Sequence, residues 1–243
     1  MKILSQPNPV IYLPVGNFLD RLPILKYTSP SSLSFICGWH MKNKTKTGVA
    51  PPNARERLLE TAISIFAEKG YAGTSVREIV EQAGVSKPVL YYYFKSKQGL
   101  FLAILDQAEV LQKQLLSEVL KSEGGVLNRL LILYRRIYAG VSESRNLYKM
   151  IHGLIFGPPQ GAPAYDFTRY HRHMIDAIDK IYSRGLAGGE VRKTAADEFA
   201  YLVLSLIDFC LHMDQIQPQL SDPRRPERLL RLAFEGIKKG AKN

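Results

Sequence analysis

The sequence predicts an all-α protein, and three observations predict it. Apolar residues recur at three- and four-residue spacing from Asn53 onward, no alternation of period two persists, and clusters of glycine and proline separate the periodic stretches. With 46% apolar and 23% charged residues in 243, the chain is globular, of one large or two modest domains. It divides into an extension over residues 1–41, disordered or non-native, a basic arm over 42–52, a small helical domain over 53–97 and a larger one over 98–243.

Residues 1–40 carry only Lys2, Asp20, Arg21 and Lys26 as charges, and Pro7, Pro9, Pro14, Pro23 and Pro30 break any helical or strand period. No element is expected there. Ile3–Leu19 is uncharged, as in a secretory leader, but prolines interrupt it and no small-residue cleavage site follows. A floppy tail is the plainer reading. Because composition turns basic and helical after it, Met41 is the expected natural start. Lys42, Lys44 and Lys46 then form a short arm, either solvated or lying in a DNA minor groove.

Asn53-x-x-Glu56 reads as a capping box, and Leu58, Leu59, Ala62, Ile63 and Phe66 keep helical spacing until Gly70. Ser75-x-x-Glu78 opens a second, short helix with Val76, Ile79 and Val80 facing inward, and Ala83-Gly84-Val85 turns the chain. Ser86 starts a third helix, with Pro88 in its first turn where a missing N–H costs nothing. Leu90 and Phe94, four apart, point to one core, so Lys87, Val89, Tyr91, Tyr92, Tyr93, Lys95 and Lys97 are left for the surface.

Two helices joined by a short glycine-containing turn, the second displaying lysine and tyrosine, form a helix-turn-helix suited to the major groove. Charge agrees: the whole chain carries +11, and Lys42–Lys97 holds ten Lys or Arg against five Glu. Nucleic acid and anionic membrane are the ordinary partners for such a field. Tyrosine hydroxyls, lysine ammoniums and the amides at the helix start by Ser86 can reach phosphate oxygens, and Val89 can touch a thymine methyl.

The run Gly70-Tyr71, Thr74-Ser75-Val76, Ile79, Ala83-Gly84-Val85-Ser86, Leu90-Tyr91-Tyr92-Tyr93-Phe94-Lys95-Ser96-Lys97 and Leu100 resembles the TetR family of bacterial transcriptional repressors. The resemblance covers residues 53–100; the helical remainder is similar in length and texture only. It implies a homodimer on a palindromic operator. It also implies that Lys87, Pro88, Val89 and Tyr91 approach bases, while Thr74, Ser75, Tyr92, Tyr93, Lys95 and Lys97 hold the backbone, with the Lys42–Lys46 arm in support. The long apolar extension departs from the family pattern.

Gln98–Leu120 reads as one unbroken helix joining the two halves, carrying Leu100, Phe101, Ile104, Leu105, Ala108, Leu111, Leu115 and Val119. By the resemblance it transmits ligand binding as a swing that changes the spacing of two heads, whose half-sites lie roughly 34–36 Å apart or a multiple of it. Further helices are expected at about 126–141, 144–156, 163–187, 195–214 and 224–239, broken at Gly157-Pro158-Pro159, Gly185, Gly188-Gly189 and Pro218. Segment 199–211 is apolar nearly all round and needs cover on two sides. Leu202, Leu206 and Phe209 with Leu230, Phe234 and Ile237 are the expected dimer face, and core packing within one subunit is the alternative.

Aromatic and histidine residues gather in the middle of this region. His152, Phe156, Tyr165, Tyr170, His173, Asp208, Phe209 and His212 are the candidate pocket for an apolar or aromatic effector, with Gly157–Pro163 as rim. Asp208 stands out, because a buried carboxylate needs a partner or a cationic ligand to stay charged. No metal is expected: His171-x-His173 puts its rings about 200° apart on a helix. No cofactor loop, nucleophile elbow or catalytic constellation is legible, so an enzyme is not expected. Cys37 and Cys210 make no disulfide framework or zinc spacing, and Asp208 interrupts the most apolar helix, so a cytoplasmic protein off the membrane is expected. The reading is a repressor released by a small molecule; the alternative is a DNA-binding regulator or architectural protein without an effector.

Overall fold

Asn53 starts helix α1 (Ala54–Lys69) with both halves of a capping box. Its side chain accepts the Glu56 N–H at 3.0 Å, and its own N–H donates to the Glu56 carboxylate at 3.2 Å. The structure, a computed structural model, describes residues 53–194, 196–222 and 224–239. The expected extension over 1–41 and the arm with Lys42, Lys44 and Lys46 lie outside the described residues.

Three short elements form the head: α1, α2 (Val76–Gln82) and α3 (Lys87–Phe94). They close around Leu58, Phe66, Ile79 and Leu90, all fully buried, and the rings of Phe66, Tyr71 and Phe101 pack mutually, Phe66 and Phe101 edge-on at 5.3 Å. Phe101 belongs to α4 (Lys97–Lys121), the long helix expected from Gln98 to Leu120, so the head's core extends into the connecting helix.

The body adds α5 (Val126–Glu143), α6 (Arg145–Phe156), α7 (Phe167–Ala187), α8 (Ala196–Ile216), a 3-10 turn at Pro218–Leu220 and α9 (Arg225–Ile237). Its core joins Leu116 and Val119 of α4 to Leu130 and Leu133 of α5, Ile178 and Ile181 of α7, and Val203 and Ile207 of α8. No β-strand occurs among the described residues beyond one isolated bridge between Val191 and Lys238.

Three expectations change. Gly185 does not break its helix; it lies inside α7, where a Cβ would sit 2.1 Å from Val126 Cγ2, so glycine lets α7 and the start of α5 touch. That helix begins at Phe167, capped by Asp166, rather than at 163. Leu230, Phe234 and Ile237 are buried within the same subunit and cannot form the expected dimer face; Leu230 is fully enclosed in the core. Leu202 and Phe209 do stand exposed on α8, and Leu206 is half-buried between them. By length and hydropathy α8 alone among the described helices could cross a membrane, but it packs against α5, α7 and α9 as a bundle element.

Head and body meet through α1 and α6. Asn146 Nδ2 donates to Ser64 Oγ at 3.2 Å, and the Ala72 N–H, in the turn after α1, donates to the Gln160 carbonyl at 3.2 Å.

Candidate nucleic-acid interface

Ser75 caps α2 by accepting the Glu78 N–H at 3.1 Å. The chain then turns through Ala83, Gly84 and Val85, with Gly84 at φ 62° and the Val85 N–H bonded to Val80 O at 3.0 Å. This turn sets α3 at an angle to α2. Ser86 occupies the N-cap of α3 with no side-chain capping bond, and its hydroxyl is exposed beside the first amides of the helix.

Leu90 and Phe94 are the buried residues of α3. Everything else on the helix is displaced outward: Tyr91, Tyr92 and Tyr93 are 46%, 71% and 41% exposed, Lys87 and Pro88 are exposed, and Val89 is half-buried. Tyr92 and Tyr93 meet edge to face at 5.0 Å, which fixes both rings without covering their hydroxyls. Lys95 ends the helix at φ 65°, a conformation that lysine adopts at a cost, and its ammonium lies 3.3 Å from Tyr92 O. The cation therefore sits at the C-terminal end of the helix, where the macrodipole favours it. Such a surface offers hydroxyls and ammoniums to phosphates and a short apolar step to bases.

Two residues expected on this surface are not on it. Thr74 is buried at 3% exposure and its hydroxyl donates to Gly70 O at 2.7 Å, closing the end of α1. Lys97 turns inward: Nζ donates to Tyr71 O and Thr74 O, both at 2.9 Å, and lies 4.1 Å from the Tyr71 ring centroid. Lys97 is thus a bracket between α4 and the turn before α2. Tyr71, the ring beneath it, stands in the family-like run of the sequence, but its role as the seat of Lys97 is not legible there because the two are twenty-six positions apart. Gly99 completes the joint, since a Cβ there would stand 2.0 Å from Phe94 O.

In the body, the expected pocket residues divide into two groups. Tyr165 donates to Glu109 at 3.0 Å, and Glu109, buried on α4, also pairs with Lys113 at 2.7 Å and Arg169 at 3.4 Å, with His173 Nδ1 at 4.0 Å. The Lys113 bond, with Tyr165 and Arg169, holds the Glu109 carboxyl below its ordinary range against desolvation. Gln112, one turn from Glu109, donates to Tyr170 O at 3.2 Å. Neither Glu109 nor Gln112 stood out in the sequence, where α4 reads as an apolar stripe.

The second group spans α6, α7 and α8. His152 stacks on His212 at 4.5 Å and 11°, with Tyr148 5.6 Å from His152. Burial pushes the Asp208 carboxyl up, and His171 nearby opposes it. Phe156 and Phe209 are 62% and 63% exposed, so they do not line an enclosed pocket as expected. The 157–163 segment is no free rim either, because Gln160 binds Ala72 of the head and donates from Nε2 to Gly153 O at 3.2 Å.

Residues 58–104 match the family model of bacterial regulatory proteins, tetR family. An uncharacterised HTH-type transcriptional regulator of Lactococcus lactis subsp. lactis is 31% identical over 132 residues, 54% of this chain and 63% of its own. The HTH-type transcriptional repressor AcnR of Corynebacterium glutamicum is 38% identical over 79 residues, 30% of this chain and 42% of its own. The matched stretch thus spans less than two thirds of either relative. Among solved structures, SmeT of Stenotrophomonas maltophilia in complex with triclosan has the same fold, with a TM-score of 0.62, 22% identity, and coverage of 77% of this chain and 93% of its own.

Proposed function

We propose that this chain, whose residues 58–104 match the family model of bacterial regulatory proteins, tetR family, is a member of that family and a sequence-specific DNA-binding transcriptional regulator, a homodimeric repressor released from a palindromic operator by a small molecule. The observation that carries this is the outer face of α3, where three exposed tyrosines stand between Lys87 and Lys95 on a helix held from behind by Leu90 and Phe94. So much exposed aromatic area on eight residues is costly in water and is well used against a sugar-phosphate wall.

Two heads are needed for a two-fold operator, and α8 offers the surface to join them. Tyr201, Leu202, Phe209 and Ile216 are all exposed, a stripe of a kind that single subunits rarely leave bare. Release requires a path from body to head. Tyr165 holds Glu109 of α4, and Gln160, five residues earlier, holds the head at Ala72, so a ligand that shifts either contact shifts α4 against α1. The effector expected from the aromatic composition is apolar or aromatic, the class to which the triclosan bound by SmeT belongs.

Selection of random duplex DNA by the purified protein, followed by titration of the winner at several salt concentrations, tests the reading. A palindromic winner with a steep loss of affinity at higher salt is the expected result. Absence of enrichment over bulk DNA would overturn it.

A further inference from the structure

Asp208 sits in the most apolar helix of the chain, one turn from Leu204 and Leu211, and no hydrogen bond or ion pair reaches its carboxylate among the described residues. Its surroundings follow from helical spacing. Tyr148 and His152 are four apart on α6, Asp208 and His212 are four apart on α8, and the stacked His152 and His212 rings put the two pairs face to face. Tyr148 is therefore brought beside Asp208, and its phenol is pushed up to about 12 by burial and then by that carboxylate. Tyr170 and His171 of α7 close the third side, Tyr170 being raised to about 12 by burial and by Asp208 as well.

Two features of this cluster lack a counterpart. The Tyr148 hydroxyl is shut off from solvent and has no hydrogen-bond partner. The cluster also holds a carboxylate with no lysine or arginine paired to it, and burial first, then the neighbouring His212, holds the His152 imidazole below its ordinary range. An anion is repelled here, and a neutral ligand leaves the carboxylate uncompensated. A cation satisfies it, and π faces add to the attraction. Each of the six residues is half-buried.

We propose that the cluster around Asp208 binds an organic ammonium ion with an aromatic or alkyl body, the carboxylate taking the charge, the Tyr148 hydroxyl accepting one N–H, and the His152 and His212 rings covering the body. The proposal deepens the effector reading above, and rests on it for the consequence at DNA alone. It narrows the effector from apolar or aromatic molecules to cationic ones.

Calorimetric titration of the full chain with phenylbutylamine, phenylbutanol and phenylbutyrate, one body with three head groups, decides it. The amine is expected to bind at least tenfold more tightly than the alcohol, and the carboxylate more weakly than either. Asp208→Asn is expected to bring the amine to the level of the alcohol. Equal binding of amine and alcohol, a preference for the carboxylate, binding of none of the three, or a preference for the amine that survives Asp208→Asn each overturns the proposal. Should that variant fail to fold, the charge series on the natural chain is decisive by itself. Operator binding measured on the same sample separates the two readings: amine preference without operator binding sinks the regulator alone, and operator binding without amine preference sinks the cation site alone.

Discussion

Helix α3 of the head and helix α8 of the body both carry side chains assigned to the proposed function, but they divide their surfaces differently. On α3, Leu90 and Phe94 face the core, and the rest of the helix faces out as one basic, aromatic surface. On α8, Val203 and Ile207 enter the core, Leu202 and Phe209 form an apolar exposed stripe, and Asp208 and His212 face a polar cluster with α6 and α7. A helix with two faces separates stability from function, because each residue serves one or the other. A helix with three faces sets a core, the proposed subunit contact and the proposed ligand group within one residue of each other, so changes on it spread. That is suitable for a sensor and unsuitable for a reader that must stay rigid.

The largest expected effect breaks the comparison at α8. Leu202→Glu combined with Phe209→Glu places charge on the exposed stripe without touching the core, so each subunit should stay folded by circular dichroism and sediment as a monomer. Operator affinity should then fall by about 10²–10⁴, the size of the second head's contribution when two sites are linked. A folded variant that remains dimeric would place the subunit contact elsewhere.

The head was legible in the sequence to a degree the body was not, and the reason is range. Asn53 and Glu56, Ser75 and Glu78, and Leu90 and Phe94 are three or four residues apart, so capping and facing follow from helical geometry alone. Where the sequence misled, the deciding contact was distant. Lys97 read as a surface cation, yet its ammonium is claimed by carbonyls twenty-three and twenty-six positions earlier. Leu230, Phe234 and Ile237 share the periodicity of a dimer face and turn out to be core, because periodicity identifies an apolar stripe but not which subunit covers it. Gly185 read as a breaker, since nothing local reveals that Val126 must approach it. The split of the aromatic cluster into one group around Glu109 and another around Asp208 depends on how α6, α7 and α8 converge, and no local pattern encodes that.

A middle-sized effect sharpens the comparison within the head. Lys95→Ala removes an exposed cation from the face of α3 in each of two heads, and it should reduce the slope of log affinity against log salt by about 1.8, the loss of two phosphate contacts on duplex DNA. Lys97→Gln should behave differently. It removes two charged hydrogen bonds to backbone, worth about 1.5–3 kcal/mol each, so Tm falls and operator affinity with it, while the salt slope stays as in the natural chain. A reduced slope for Lys97→Gln would mean that this ammonium leaves its bracket for a phosphate.

The smallest effect concerns acid, and it falls on the body. The head's Arg77–Glu81 pair is exposed on both sides and contributes little in water. Glu109 is enclosed, and its carboxyl is held below the ordinary value by the Lys113 bond first, then by Tyr165 and Arg169, with desolvation opposing. A folded-state pKa below the unfolded one means that the unfolded chain binds the proton more readily. Its stabilisation is therefore complete above the ordinary carboxylate range near 4.5 and disappears as pH falls through the lowered folded-state value. Glu109→Gln should accordingly melt below the natural protein near neutrality, by about 2–4 °C for roughly 1 kcal/mol in a chain of this length, and the gap should close as the pH is taken below the carboxylate range. A gap that stays constant across that range would assign the loss to packing around Tyr165 rather than to the charge on Glu109, and the body's polar joint to α4 would then be steric.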